Sequence, residues 1–185
     1  MSNKLKVGIL LFDEVEVLDF AGPYEVFSLA QHQNSEEKLF DVKTVAESKE
    51  IISARNGLKI MPDLSYGGEK QGEPGFEPHS DASDALDDDT NDDPGESEDN
   101  LDDLKNNHPK ELKNNRQNAL DFDLLIVPGG RGASEIEIHN QRLIAWLKAQ
   151  SKQVKIMASV CTGAFLLAEA GLLQGKKATT HWSAI

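Results

Sequence analysis

The sequence predicts an α/β fold built on a doubly wound, mainly parallel sheet. Three observations carry that expectation. Short, largely apolar runs of strand length recur at "KVGILLF" (Lys6–Phe12), "FDLLIVP" (Phe122–Pro128) and "VKIMASV" (Val154–Val160), the pattern of strands covered on both faces. A stretch with helical periodicity follows each run. Small residues fill two of the joints between strand and helix, at "PGGRG" (Pro128–Gly132) and around Cys161. Strands that alternate with helices in this way pair in parallel and bind ligands at their carboxyl ends.

The elements follow in order. The start, "MSNKLKVGILLF", is basic and then briefly apolar, but it stops at Asp13 and Glu14 without a small-residue cleavage site. It reads as a first strand and not as a signal peptide. "GPYEVFSLAQ" reads as a helix, with Pro23 suited to its first turn and Val26, Phe27 and Ala30 on one face. "FDVKTVAE" (Phe40–Glu47) alternates like a half-buried strand, and "EIISARNGLKIMPD" resembles a hairpin turned at Asn56-Gly57. Later, "NQRLIAWLKAQ" is a helix capped by Asn140 with Leu143, Ile144 and Leu147 inward. "VKIMASV" reads as a buried strand. "TGAFLLAEAG" is a helix stopped by Gly171, and "KKATTHW" begins one more strand.

Between these halves the composition changes. Residues 67–120 are rich in Asp, Asn, Glu, Pro, Gly and Ser, and cannot bury enough apolar surface to offset their ordering entropy. The expected organisation is therefore one discontinuous α/β domain over 1–66 and 121–185, interrupted by an acidic, disordered insertion. Long surface loops cost stability only slowly with length. Joining Tyr66 to Asp121 through a short Gly/Ser linker is thus expected to leave the melting temperature within a few degrees. A collapse of the fold on that deletion, followed by circular dichroism, would contradict it. His79 and His108 fall in this stretch without metal-ligand spacing, so no metal site is expected.

Charge excludes some functions. The net charge of −13 includes 12 acidic residues between Asp81 and Asp103, where there is no Lys or Arg. Removing that −12 leaves −1 for everything else, so there is no basic footprint for nucleic acid. No apolar stretch approaches the roughly 18 residues of a membrane span. A soluble cytoplasmic protein acting on a small molecule is the expectation. At 185 residues the chain is long enough for one domain with a sizeable core.

The single cysteine rules out an internal disulfide. A lone cysteine is by default an inert core residue, but Cys161 sits where a strand hands over to a helix. Its neighbours at minus two and plus two, Ser159 and Gly163, are small, as a tight nucleophile elbow requires. The helix N-terminus is expected to lower the thiol's pKa. "PGGRG" and Thr162 offer backbone N–H groups for an oxyanion. Asp19, in "VEVLDFAGP", stands at a helix entrance, where it is either a structural carboxylate or a site residue.

"GILLFDEVEVLDFAGPYEVF" (Gly8–Phe27), "DFDLLIVPGGRG" (Asp121–Gly132) and "SVCTGAFLLAEAGLLQGKKATTHW" (Ser159–Trp182) together resemble the ThiJ/PfpI family. That family belongs to the class I glutamine amidotransferase-like superfamily. The resemblance implies a flavodoxin-like sheet, Cys161 as nucleophile, Asp19 as its acidic partner, and Gly130 and Thr162 as oxyanion-binding backbone. Peptidase-like members carry His after the cysteine, whereas this chain has Thr162. The pattern looks most like isonitrile hydratases and the ligand domains of AraC-type regulators. It implies a hydratase-like addition of the cysteine to a small electrophile, isonitrile to N-substituted formamide, with Asp19 as proton donor and Asp19 and Thr162 placing water. No cofactor or metal is implied, and the full-length family form is a homodimer. A ligand- or redox-sensing module and a glyoxalase- or deglycase-like activity use the same residues and stay open. His181 is a further candidate, though its place in the chain equally suits a core or interface position. The family continues beyond the point matching Ile185. The sheet is therefore expected to be cut short, with an unpaired edge, uncovered apolar surface and marginal stability.

Overall fold

The computed structural model describes residues 4–68 and 120–184, which fall in one compact unit. The insertion expected at 67–120, with His79 and His108, lies outside the described residues except at its ends.

Five strands form one sheet: β1 (Leu5–Leu10), β2 (Phe40–Ala46), β5 (Leu64–Ser65), β6 (Leu124–Val127) and β7 (Ile156–Ser159). Their spatial order is β5-β2-β1-β6-β7, and every pairing is parallel. Val7 sits between Val42 and Leu124, and Ile9 between Thr44 and Ile126. The chain winds outward from β1 one way to β2 and β5, then the other way to β6 and β7. The switch point therefore lies between β1 and β6, where an open α/β sheet has its crevice. The central position of β1 explains its apolar run, since Val7, Ile9 and Leu10 are wholly buried. The expected hairpin is present as β3 (Ile52–Ser53) and β4 (Lys59–Ile60), with Asn56 and Gly57 both at positive φ.

Three helices connect the strands: α1 (Val17–Leu29), α2 (Gln141–Gln150) and α3 (Gly163–Glu169). Helix α2 follows its sequence signals. The Asn140 side-chain oxygen accepts from the Arg142 and Leu143 N–H groups, both at 3.1 Å. Leu143, Ile144 and Leu147 are buried as the periodicity predicts, and Trp146 joins them, stacked on Tyr66 at 4.6 Å. Helix α3 stops where Gly171 takes a φ of +71°.

Helix α1 differs from expectation. It begins at Val17, so Pro23 lies inside the helix and not in its first turn. Its inward residues are Phe20 and Phe27, the latter edge-on to Phe40 at 4.9 Å, and this rotation leaves Val26 66% exposed. Strand β7 is also less covered than "VKIMASV" suggested. It pairs only with β6 among the described residues, and Ile156 is exposed. No strand forms from "KKATTHW". That segment makes no ladder bonds; it is tied down by the Thr180 hydroxyl, which donates to the Cys161 carbonyl at 3.1 Å, and a short 3-10 turn follows at Trp182–Ala184. An apolar groove of about 700 Å³ runs between α1 and the β6–β7 face, lined by Pro23, Phe27, Leu124, Ile126 and Ile156. No helix among the described residues is long and apolar enough to cross a membrane.

Candidate active site

Three strand ends meet at the switch point. Asp19 follows β1, Gly129 and Gly130 follow β6, and Cys161 follows β7. Two backbone links hold the first two together: the Glu16 N–H donates to the Gly129 carbonyl at 2.9 Å, and Val15 bridges to Gly130.

The elbow is built from local sequence. Strand β7 ends with the Val160 N–H on the Val127 carbonyl at 3.0 Å. The chain then reverses at Cys161, whose φ is +55°. A non-glycine residue in this left-handed region is strained, and such strain gathers at functional sites. Gly163 must be glycine, because a Cβ there would run into the Val127 and Pro128 carbonyls. Gly129 is fixed in the same way, since its Cβ would stand 2.5 Å from the Thr162 nitrogen and 3.0 Å from the Cys161 Cβ. Side chains at either position would push the β6 turn off the elbow.

Asp19 and Cys161 line the same cavity, and each perturbs the other's titration. Asp19 also accepts the Gly129 N–H on Oδ2 at 3.1 Å. Burial raises the carboxyl above the ordinary range, against the Gly129 and Cys161 hydrogen bonds, and the charge of Glu16 raises it further. Burial likewise pushes the Cys161 thiol up, opposed by the Thr162 N–H and reinforced by the Asp19 charge. The expected lowering by the helix N-terminus does not prevail. Helix α3 has only seven residues, and desolvation beside a carboxylate outweighs its dipole. Both shifts favour the uncharged forms, so the thiol and the carboxyl each keep their protons to higher pH than such groups ordinarily do.

Thr162 and Gly130 are brought together by a reciprocal pair of hydrogen bonds. The Gly130 N–H donates to Thr162 Oγ1 at 2.9 Å, and that hydroxyl donates back to the Gly130 carbonyl at 3.1 Å. The expected Gly130 donor is thus occupied, and the Thr162 hydroxyl has no proton left for a water. Its visible work is to strap the elbow to the β6 turn. Replacing Thr162 with valine keeps the shape and strands both backbone groups of Gly130. We expect a loss of about 1–2 kcal/mol in urea unfolding; a change within a few tenths would show that the strap is dispensable.

His181 lines the same cavity as Asp19 and Cys161, with Nδ1 2.8 Å from Ser183 Oγ, and its charge lowers the Asp19 carboxyl. The cavity measures about 670 Å³. Its walls include residues that sequence reasoning passed over: Glu16, Arg55, Arg131 and Glu135. Arg131 was visible inside "PGGRG"; Arg55 gave no signal beyond its place beside the Asn56-Gly57 turn. Among the described residues no three His, Cys, Asp or Glu side chains converge as metal ligands.

With this geometry established, the chain belongs to the DJ-1/PfpI family, which it matches over residues 5–185. It is 25% identical over 181 residues to an isonitrile hydratase from Pseudomonas putida, covering 97% of this chain and 53% of that protein. A shorter stretch of 68 residues is 37% identical to the HTH-type transcriptional regulator GbdR of Pseudomonas aeruginosa, covering 37% of this chain and 18% of that one. A ThiJ/PfpI family protein from Pseudomonas syringae shares the fold, with a TM-score of 0.61 at 22% identity over 98% of this chain and 52% of that chain. The chain thus spans about half the length of the hydratase and of that structure.

Proposed function

We propose that this chain carries a cysteine-dependent hydratase site that converts a small isonitrile into an N-substituted formamide. The observation that carries the reading is the placing of Cys161, on a strained elbow, and Asp19 in one cavity sized for a small molecule.

An isonitrile carbon accepts a nucleophile and a proton at the same atom. As Cys161 Sγ adds to that carbon, the thiol proton passes to the Asp19 carboxylate and from there to the carbon, giving a thioimidate on sulfur. Asp19, again ionised, then takes a proton from water as the water oxygen adds, and the nitrogen receives it. The carbon–sulfur bond breaks in the last step. The hydroxyl proton returns through Asp19 to sulfur, and the formamide leaves. Isonitrile and water are consumed in equal number, and both cysteine and aspartate are restored. Every step is a proton transfer, an addition or an elimination, so the chemistry asks for no organic cofactor. A protonated thiol suits this route. It suits peroxide sensing poorly, because the thiolate is the form that oxidises.

The likeness to the isonitrile hydratase supports the same reading. The likeness to GbdR supports a second one, a ligand-sensing module that binds in this cavity without turnover. In either case the partner is a small molecule, and we read the full-length form as a homodimer. Incubating the chain with aliphatic isonitriles and following the formamide proton by NMR separates the two. The hydratase reading expects formamide to accumulate over many turnovers. Saturable binding with no formamide above the protein-free rate would leave the sensing module.

A further inference from the structure

Two arginines rim the Cys161 cavity from loops that the fold stitches together. The Arg55 N–H donates to the Val15 carbonyl at 3.0 Å, and Val15 bridges to Gly130, the residue before Arg131. Both side chains therefore leave neighbouring backbone, and both line the cavity. Each is held along one side only. Arg55 Nη1 donates to Glu16 Oε2 at 2.8 Å, and Arg131 Nε donates to Glu135 Oε2 at 2.8 Å. A guanidinium has five N–H donors in a planar fork, so each ion pair leaves part of the fork over. Among the described residues no other acceptor takes it. The two glutamates anchor the arginines at the cavity, and their own charge is committed to that work.

We infer that the cavity selects substrates bearing a carboxylate, which Arg55 and Arg131 hold at the rim while the electrophilic carbon reaches Cys161. The identity of that carbon as an isonitrile rests on the function proposed above; the anion preference rests on the arginines alone. A carboxylate matches the planar fork two bonds at a time, which a hydroxyl or an amide oxygen does not. Because both side chains are more than half exposed, the preference is expected to weaken as salt is added.

The test has two arms. In the first, isocyanoacetate and a neutral aliphatic isonitrile are compared on the wild type and on the R55Q/R131Q double variant. The ratio of kcat/KM, charged over neutral, is expected to fall by about tenfold in the variant, through KM. An unchanged ratio, with turnover intact, overturns the carboxylate preference and leaves the hydratase reading standing. The second arm does not need turnover. Butyrate and butyramide are compared as protectors of Cys161 against iodoacetamide. Butyrate is expected to slow alkylation of the wild type but not of the double variant. Equal protection by the amide, or by neither, overturns the inference even if no isonitrile is consumed.

Discussion

Replacing Cys161 with alanine is expected to abolish isonitrile turnover while the protein stays folded. The thiol is the strongest nucleophile lining the cavity, and no other cysteine exists in the chain to stand in for it. The loss should reach the protein-free rate, because without the thioimidate the remaining groups have nothing to hydrolyse. The same position carries a second, separable effect. With φ at +55°, both cysteine and alanine are held where a Cβ crowds the following carbonyl, and glycine is not. Cys161→Gly should therefore unfold at higher denaturant than Cys161→Ala, by about 1 kcal/mol, although both are inactive. Equal stabilities would mean that the elbow stores no strain.

Asp19→Asn has the second-largest effect, and it is double-edged. Turnover is expected to fall by roughly 10²-fold or more, the usual loss when a positioned proton carrier is removed. The asparagine oxygen can still accept the Gly129 N–H, so the loop geometry survives. The Cys161 thiol, however, loses the carboxylate whose charge and hydrogen bond hold it up. Its titration should move down, and iodoacetamide should label it faster at neutral pH in the variant than in the wild type. Slower catalysis with a more reactive thiol is an outcome that a merely structural Asp19 does not give.

Stability follows the same group with a definite sign. The folded-state pKa of Asp19 is raised, so the native state favours its protonated form. The stability this contributes is present below the unfolded carboxylate value and is lost as pH rises through the folded one. Above the folded value the carboxylate is a partly buried charge that asparagine lacks. Asp19→Asn is expected to melt no lower than the wild type at pH 7, and the gap should close as pH falls below the carboxylate range. A variant that is less stable at neutral pH would show that the charge is wanted by the fold.

What could be read in the sequence was what the chain settles locally. The elbow was legible because Gly163 and the β6 turn must pass close to Cys161, and that steric demand appears as small residues at fixed spacing. Asn140 and Leu143, Ile144 and Leu147 were legible for the same reason, a cap and a period of 3.6. Less legible was what depends on partners from far along the chain. The Thr162 hydroxyl takes the Gly130 N–H from 32 residues away, and no local pattern announces it. The thiol's pKa was read from its helix, which is local, whereas burial and Asp19 are tertiary and act the other way. Arg55 reaches the cavity only because its hairpin is bonded to Val15. Pro23 locally marks a helix start, but the first turn of α1 lies back at Val17, beside the site it serves.

The addition at Cys161 is tested most directly by intact-mass and peptide mass spectrometry of wild-type and Asp19→Asn protein quenched during reaction with an isonitrile. The predicted result is a mass increase equal to the whole isonitrile, since thiol addition expels nothing, located on the peptide that contains Cys161 and absent from a Cys161→Ala control. Formamide produced by the wild type with no adduct on Cys161 in either protein, or an adduct that maps elsewhere, would contradict it.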